Sequence, residues 1–150
     1  LKVPAIAYRK GHVGTDTINA PYSSMDLYPT LLSLAEVEDA YSGTGELIWD
    51  ASGTLHTPQR AVLSWNFQQA KAIRQGNWKA IFIPADHDTL IERYFFGGEF
   101  TPHQELLSAY DGHFPLLFNL AEDPQEQHDL ALAHPDRLSA LWALLRTQSK

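Results

Sequence analysis

The first third of the chain shows one strand-like and one helix-like pattern of apolar positions. Residues 3–8 are short, apolar and rich in strand formers. They predict a strand buried in a larger sheet, or an edge strand that tolerates Pro4. Leu27, Leu31 and Leu34 recur at spacings of four and three residues. This period predicts a helix with one apolar face.

A connecting segment separates this helix from the rest of the chain. Residues 36–58 show no sustained period and contain one isolated apolar pair, Leu47-Ile48. We interpret the segment as a surface connection and as the boundary between two structural units. The predicted units are residues 1–56 and residues 57–150. Because Leu1 is not an initiator and the chain opens within a strand pattern, we expect a fragment or the processed tail of a longer protein.

The segment after residue 60 has the pattern of an antiparallel sheet. Residues 61–67 are mostly apolar, and two more strand-like segments, 71–75 and 78–83, flank Gly76-Asn77. A Gly-Asn pair between two such segments is a two-residue hairpin signal. In the second arm of this hairpin, alternate positions share one face, namely Trp78, Ala80 and Phe82.

An amphipathic helix pattern closes the chain. Leu138, Leu141, Trp142 and Leu145 recur at helical spacing, and Pro135 suits the first position of a helix. We expect Trp142 and Leu138 to press against the inner face of the hairpin. Antiparallel strands closed by one such helix predict an α+β unit, a small antiparallel sheet packed by a C-terminal helix. Between them, residues 84–114 are too long for a structureless loop, so a short helix or strand is expected there.

Charge and composition exclude several classes of partner. The formal net charge is −7, and a nucleic-acid partner would need a cationic face against its phosphates. No apolar run approaches the length of a membrane span. The absence of cysteine excludes disulfides, zinc-thiolate sites and thiol nucleophiles within the chain, but leaves the cellular compartment undecided.

Five segments carry recognisable motifs along nearly the whole chain. They are Lys2-Val3-Pro4 with the strand after it; residues 19–32, with Asp26-Leu27, Pro29-Thr30 and Leu31-Leu32; residues 60–65; residues 72–79, with Arg74, Gly76, Trp78 and Lys79; and residues 117–126, with Phe118-Asn119-Leu120 and Asp123-Pro124-Gln125-Glu126, followed by Asp129-Leu130-Ala131. In this order they resemble the sulfatase family: its Arg-Val-Pro strand, helix signature, subdomain-opening strand, hairpin and Asp-Pro-x-Glu turn. Residues 84–114 depart from the family, many of whose members make this connection more directly, and this leaves the substrate class open.

The resemblance implies an enzyme of the alkaline phosphatase superfamily. Residues 1–56 would be the terminal strand and helix of its large α/β domain, and residues 57–150 its C-terminal α+β subdomain. In the family, the chemistry uses a formylglycine made from Cys or Ser in a Cys/Ser-x-Pro-x-Arg motif, a calcium ion, and Lys and His residues around the sulfate. All of these precede the strand that opens this chain. No catalytic residue, metal ligand or cofactor is therefore assigned here, and the chain alone should be inert.

The leading functional hypothesis is the C-terminal part of a sulfatase, a sulfuric ester hydrolase. This part would buttress the missing N-terminal catalytic domain and supply one wall of the substrate pocket. The expected substrate of the parent enzyme is a sulfate-ester small molecule or saccharide. One alternative is a phosphoester or phosphonate hydrolase of the same superfamily. Another, of a different class, is a stand-alone binding or interaction module such as a carbohydrate-binding domain.

A few polar residues are candidates for a role in the parent enzyme. Asn66 and Gln68 lie where a strand leaves the subdomain, beside an aromatic residue, and could contact a sugar or aryl group; ordinary edge packing is the competing interpretation. Arg74 and Lys79 could bind an anion, although pairing with acids such as Asp123 or Glu126 is the simpler role.

Two metal hypotheses receive little support from the sequence. Asp26 could be a calcium ligand, but helix capping explains it more economically. The seven His residues are scattered and contain neither His-x-x-x-His nor His-x-His, so we interpret them as surface or loop residues rather than as metal ligands.

Overall fold

The computed structural model describes the chain except for residues 1–5, 9, 12–16, 19, 38–41, 59, 66–69, 88–99 and 149–150. The chain forms two compact units, Leu1–Gln59 and Arg60–Lys150. The sequence places its boundary nearby, between residues 56 and 57. The assignment of the first unit to a larger α/β domain stays a prediction.

The first unit contains a short helix whose start is held by a capping box. A 3-10 turn, Ser24–Asp26, leads directly into α1, Leu27–Leu34. The N–H of Ser23 donates to Asp26 Oδ2 at 2.7 Å, and the hydroxyl of Ser23 accepts from the N–H of Met25 at 3.3 Å. This arrangement satisfies N–H groups that the start of a helix leaves free. The predicted helix is confirmed. Asp26 takes part in the capping box of the preceding 3-10 turn, but as the N-cap residue of α1 its side chain makes no capping hydrogen bond.

Residues 6–8, the described part of the strand predicted at residues 3–8, form no strand. They have no regular structure, and Ile6 and Tyr8 are 98% and 86% exposed. A strand needs a neighbouring strand for its backbone hydrogen bonds, and among the described residues none pairs with this segment. The prediction is corrected for residues 6–8, while residues 3–5 lie outside the described residues.

The second unit is built on a four-stranded antiparallel sheet in the order β1-β2-β3-β4. The strands are β1, Val62–Trp65; β2, Lys71–Gln75; β3, Trp78–Pro84; and β4, His113–Asn119. Gln75 pairs with Trp78 across the two-residue turn between β2 and β3. Gly76 begins this turn with a φ of 58°, which side-chain-bearing residues adopt with strain. The predicted hairpin is therefore confirmed.

One face of the sheet packs against α2, Pro135–Gln148. The rings of Trp142 and Phe82 have centroids 4.6 Å apart, and Leu138 is fully buried in the same cluster. Other members of this cluster are Ile73, Ala80, Leu117, Leu141 and Leu145. The helix thus docks through the residues that the sequence predicts, and the fold of this unit is α+β.

The opposite face of the sheet is covered by the segment that precedes β4. Residues Gln104–Tyr110 form a 3-10 helix, and its Leu107 packs on this face together with Phe100. The Phe100 ring meets the Phe118 ring edge-on, with centroids 5.6 Å apart. The short helix expected within residues 84–114 is thus present, and residues 88–99 of that segment lie outside the described residues.

Candidate functional site

The two residues predicted to contact substrate, Asn66 and Gln68, lie outside the described residues. They follow β1 directly, which ends at Trp65. Their role stays a prediction.

Lys79 forms an ion pair within the second unit. Its Nζ lies 2.7 Å and 2.6 Å from the two carboxylate oxygens of Glu126, and both side chains are less than a third exposed. The pair joins β3 to the turn that follows β4. The predicted pairing of Lys79 with an acid of this turn is confirmed. Arg74 donates from Nε to the carbonyl of Gly76 at 2.9 Å, which braces the hairpin turn.

The turn after β4 is also organised by Asp123. Its Oδ2 accepts the N–H of His128 at 2.8 Å, and its own N–H donates to the carbonyl of Asn119 at 2.8 Å. Desolvation alone would raise the pKa of this carboxyl, but bonds from the N–H groups of Gln127 and His128 outweigh it and lower the pKa. Asp123 and Glu126, both from the Asp-Pro-x-Glu motif, thus shape one turn.

Asp129 is a junction on the outer edge of β4. Its Oδ1 accepts the N–H groups of Leu117 and Ala131, each at 2.9 Å, and the N–H of Leu130 donates to the carbonyl of Leu117 at 2.8 Å. These contacts occupy backbone groups that an edge strand otherwise presents to solvent. Pro115 lies two residues before Leu117, so its backbone nitrogen also faces the free edge of β4. A missing N–H at that position breaks no hydrogen bond of the sheet.

The second oxygen of Asp129 connects this edge to the 3-10 helix. His103 Nε2 lies 3.0 Å from Asp129 Oδ2, and His103 Nδ1 lies 3.8 Å from Glu105 Oε1. His103 directly precedes the helix. The contact therefore fastens the segment covering one face of the sheet to the loop that leads into α2.

In the first unit, Asp26 and Thr30 tie α1 to the segment that follows it. Asp26 Oδ1 accepts the N–H of Glu46 at 2.8 Å, and the hydroxyl of Thr30 accepts the N–H of Ile48 at 2.8 Å while donating to the carbonyl of Asp26 at 2.6 Å. Both carboxylate oxygens of Asp26 accept backbone N–H groups. This geometry makes Asp26 a structural clamp between the start of α1 and the segment that follows it.

A second polar turn in this unit is centred on Asp50. Its Oδ1 accepts the N–H groups of Ser52 and Thr54 at 2.9 Å and 3.0 Å, and its Oδ2 lies 3.3 Å from His56 Nε2. The hydrogen bond from the Ser52 side chain is the leading cause that lowers the pKa of Asp50 to about 2. The turn closes a short antiparallel bridge between Trp49 and Leu55.

A hollow of about 420 Å³ lies where the β3–β4 ladder ends, lined by Pro84, Ala85, Asp86, Asp111, Gly112 and His113. His113 Nδ1 lies 3.0 Å from the carbonyl of Tyr110 and 3.1 Å from that of Asp111. Two carbonyl acceptors at these distances indicate that Nδ1 is a hydrogen-bond donor. Asp111 Oδ2 also lies 3.5 Å from Arg146 Nη1. Among the described residues that line the hollow, no Ser or Thr side chain accompanies His113.

Two further properties concern only the part of the chain that the structure describes. No group of three or more His, Asp or Glu side chains there is placed to hold a metal ion. No helix there is long and apolar enough to cross a membrane.

Known proteins resemble this chain over nearly its whole length. No family model matches the chain. An N-acetylgalactosamine-6-O-sulfatase of Bacteroides thetaiotaomicron is 27% identical over an alignment of 149 positions that covers 97% of this chain and 27% of that protein. Human arylsulfatase A is 28% identical over an alignment of 163 positions, gaps included, that covers 96% of this chain and 30% of that enzyme.

The chain is related to the sulfatases. A solved structure from work on glycosaminoglycan metabolism by Bacteroides thetaiotaomicron shares its fold, with a TM-score of 0.52 and 21% identity. That match covers 81% of this chain and 24% of the solved one. This sulfatase-related chain thus spans less than a third of the length of its relatives, in agreement with the predicted C-terminal portion.

The sequence analysis missed the roles of Thr30, His103 and Asp129. Thr30 and Asp129 belong to motifs that carry the resemblance, so a signal was present, but it gave no partner for either side chain. His103 carries no such signal. Its contact with Asp129 joins residues 26 positions apart, and only the fold brings them together.

Proposed function

We propose that this chain is the C-terminal part of a sulfuric ester hydrolase and that the reaction takes place outside these 150 residues. The observation that carries the proposal is the match of 96–97% of the chain to sulfatases of which it covers only 27–30%. The nucleophile motif is absent from this sequence. A formylglycine and a calcium ion would supply nucleophile and charge stabilisation in the remainder of the parent enzyme.

Within this proposal, the second unit is a rigid support for the catalytic domain. Its sheet is buried on both faces, and the ion pair of Lys79 with Glu126 and the Asp129 junction fix the loops after β4. Rigid placement of neighbouring groups is what a substrate pocket requires of its supporting elements. The first unit, residues 1–56 in the predicted division, would complete the large α/β domain.

The proposed substrate is a sulfate ester carried by a small molecule or a saccharide. The similar proteins named above are sulfatases, one of them acting on the 6-O-sulfate of N-acetylgalactosamine by its name. In the parent enzyme, Asn66 and Gln68 would form part of the pocket wall through their amide groups. Asn66→Ala and Gln68→Ala should then raise KM for a sulfated saccharide, whereas Gln75→Ala at the hairpin should leave it unchanged.

The proposal is tested by assaying two proteins, the 150-residue chain and the complete gene product, on an aryl sulfate ester with calcium. We expect turnover by the complete product and none above background by the chain. Calcium-dependent turnover by the purified chain would overturn the proposal. Turnover of a phosphate ester but not a sulfate ester by the complete product would favour a phosphoester hydrolase. Saccharide binding by the chain, with no hydrolase activity in the complete product, would favour a stand-alone module.

A further inference from the structure

Helix α1 and the turn before it bury two polar residues and expose several apolar ones. Asp26 at its start and Thr30 within it are 0% and 3% exposed. Leu27 and Leu31 are 51% and 63% exposed, and Met25 in the preceding turn is 50% exposed. A helix on the surface of a finished domain normally shows the reverse arrangement. Part of the apolar surface of α1 is therefore exposed while a polar side is buried, although Pro29 is buried and Leu32 and Leu34 are half-buried.

This arrangement is fixed by hydrogen bonds rather than by loose packing. Asp26 accepts the N–H groups of Ser23 and Glu46, and Thr30 accepts the N–H of Ile48. Rotating α1 to bury Leu27 and Leu31 would break these bonds and leave buried polar groups without them, which is costly. The orientation of the helix is thus set by Asp26 and Thr30, and Leu27 and Leu31 are left facing outward.

We propose that Met25, Leu27 and Leu31, the outer face of α1, form the docking surface for the part of the parent sulfatase that this chain does not contain. The inference rests on the proposed function and names the contact through which the two parts join. The residues of α1 itself, Leu27–Leu34, include no charged side chain. Such a face suits the apolar interior of an α/β domain, and without a cationic side chain it does not match the phosphates of a nucleic acid.

The lengths of the relatives indicate which part of the parent protein covers this face. Both sulfatases named above extend far beyond the matched stretch, since this chain covers 27% and 30% of them, and the similar fold occupies 24% of the solved chain. Contiguous exposed apolar surface rimmed by polar groups marks an interaction site. In the parent enzyme, the missing portion covers the outer face of α1.

The test measures coverage of the face directly, by the reactivity of a single introduced thiol. The chain has no cysteine, so Leu31→Cys places one thiol on the outer face. Leu132→Cys is the matched control, because Leu132 is a leucine of the second unit that is 53% exposed. Maleimide labelling of the tryptic peptide is followed by mass spectrometry in the chain and in the complete gene product. Each rate is normalised to that of the same variant in urea.

We expect both thiols to label freely in the 150-residue chain. In the complete gene product, the thiol at position 31 should label at least tenfold more slowly, while the thiol at position 132 keeps its rate. Equal labelling of position 31 in both proteins, with wild-type sulfatase activity intact, would overturn the docking proposal and leave the proposed function standing.

Three other outcomes test the proposal further. Protection of position 31 in the chain alone, increasing with protein concentration, would show that a second copy covers the face and would overturn the proposal. Protection in the complete product without any sulfate ester hydrolysis would support the docking surface and overturn the proposed function. Equal protection at positions 31 and 132 would also contradict a surface specific to α1.

Discussion

The two compact units of the chain differ in how much apolar surface they bury. Among the described residues, the first unit buries only Pro29 and Ile48 as apolar residues, beside the polar Asp26 and Thr30. The second unit buries apolar residues on both faces of its sheet. Apolar burial is the main driving force of folding. The second unit therefore has an apolar core of its own. The first unit has internal hydrogen bonds but lacks an apolar core of comparable size.

The largest expected effect is on the core of the second unit. Trp142→Ala should lower the free energy of unfolding by roughly 3–5 kcal/mol, because Trp142 packs on Phe82 and its removal leaves a cavity. Arg146→Ala is the control on the exposed face of the same helix, and its pair with Asp111 is exposed on both sides. We expect that change to cost under about 0.5 kcal/mol. Equal urea midpoints would mean that α2 does not dock by this face.

A smaller effect is expected at the edge of β4. Asp129→Ala should cost about 1.5–3 kcal/mol, since it removes a charged acceptor from two backbone N–H groups and from His103. Asp129→Asn retains an oxygen acceptor of the same shape and should lose clearly less, by urea unfolding. If both variants lose the same amount, the backbone bonds of Leu117 and Ala131 are not the source of the stability.

The ion pair between Lys79 and Glu126 should contribute less again. A double-mutant cycle with Lys79→Met and Glu126→Gln should give a coupling free energy of about 1 kcal/mol, because the pair is partly shielded from solvent. Denaturant unfolding of the four proteins measures it. A coupling indistinguishable from zero would reduce the pair to a surface contact.

The smallest effect concerns the first unit and its dependence on pH. The pKa of Asp50 is lowered from 3.8 to about 2, so the ionised carboxylate stabilises its turn fully above pH 3.8. That contribution should be lost as the pH falls through about 2. A carboxyl titration by NMR checks the midpoint, and Ser52→Ala should raise it. An unchanged midpoint in that variant would remove the Ser52 hydrogen bond as the cause.

The sequence predicted those parts of the fold that depend on local pattern. The Gly76-Asn77 turn, the alternation in β3 and the helical period around Trp142 each specify an element from neighbouring residues alone. The antiparallel sheet packed by a C-terminal helix follows from them. The predicted strand at residues 3–8 is wrong at residues 6–8. A strand forms only beside another strand, and the apolar pattern of a single segment carries no information about a partner strand.

The candidate site was predictable to a lesser extent. Pairing of Lys79 with an acid was predicted, but Asp123 and Glu126 both stayed open as partners, and the fold selects Glu126. The junction of His103 with Asp129 depends on two loops that meet only in the folded unit. The orientation of α1 shows the same limit. Leu27, Leu31 and Leu34 were correctly placed on a helix, but their period could not reveal that Asp26 and Thr30 hold the opposite side inward.

The claim that one unit is self-sufficient and the other depends on a parent protein can be measured by amide hydrogen exchange of the isolated chain. Amides of Ile81, Ile83 and Leu116 lie in the middle of the sheet and should be protected roughly a thousandfold or more, near the global stability of a small domain. Amides of α1, such as those of Leu31 and Leu32, should be protected by no more than roughly tenfold, as expected for a unit without an apolar core. Equal strong protection in both units would contradict this account.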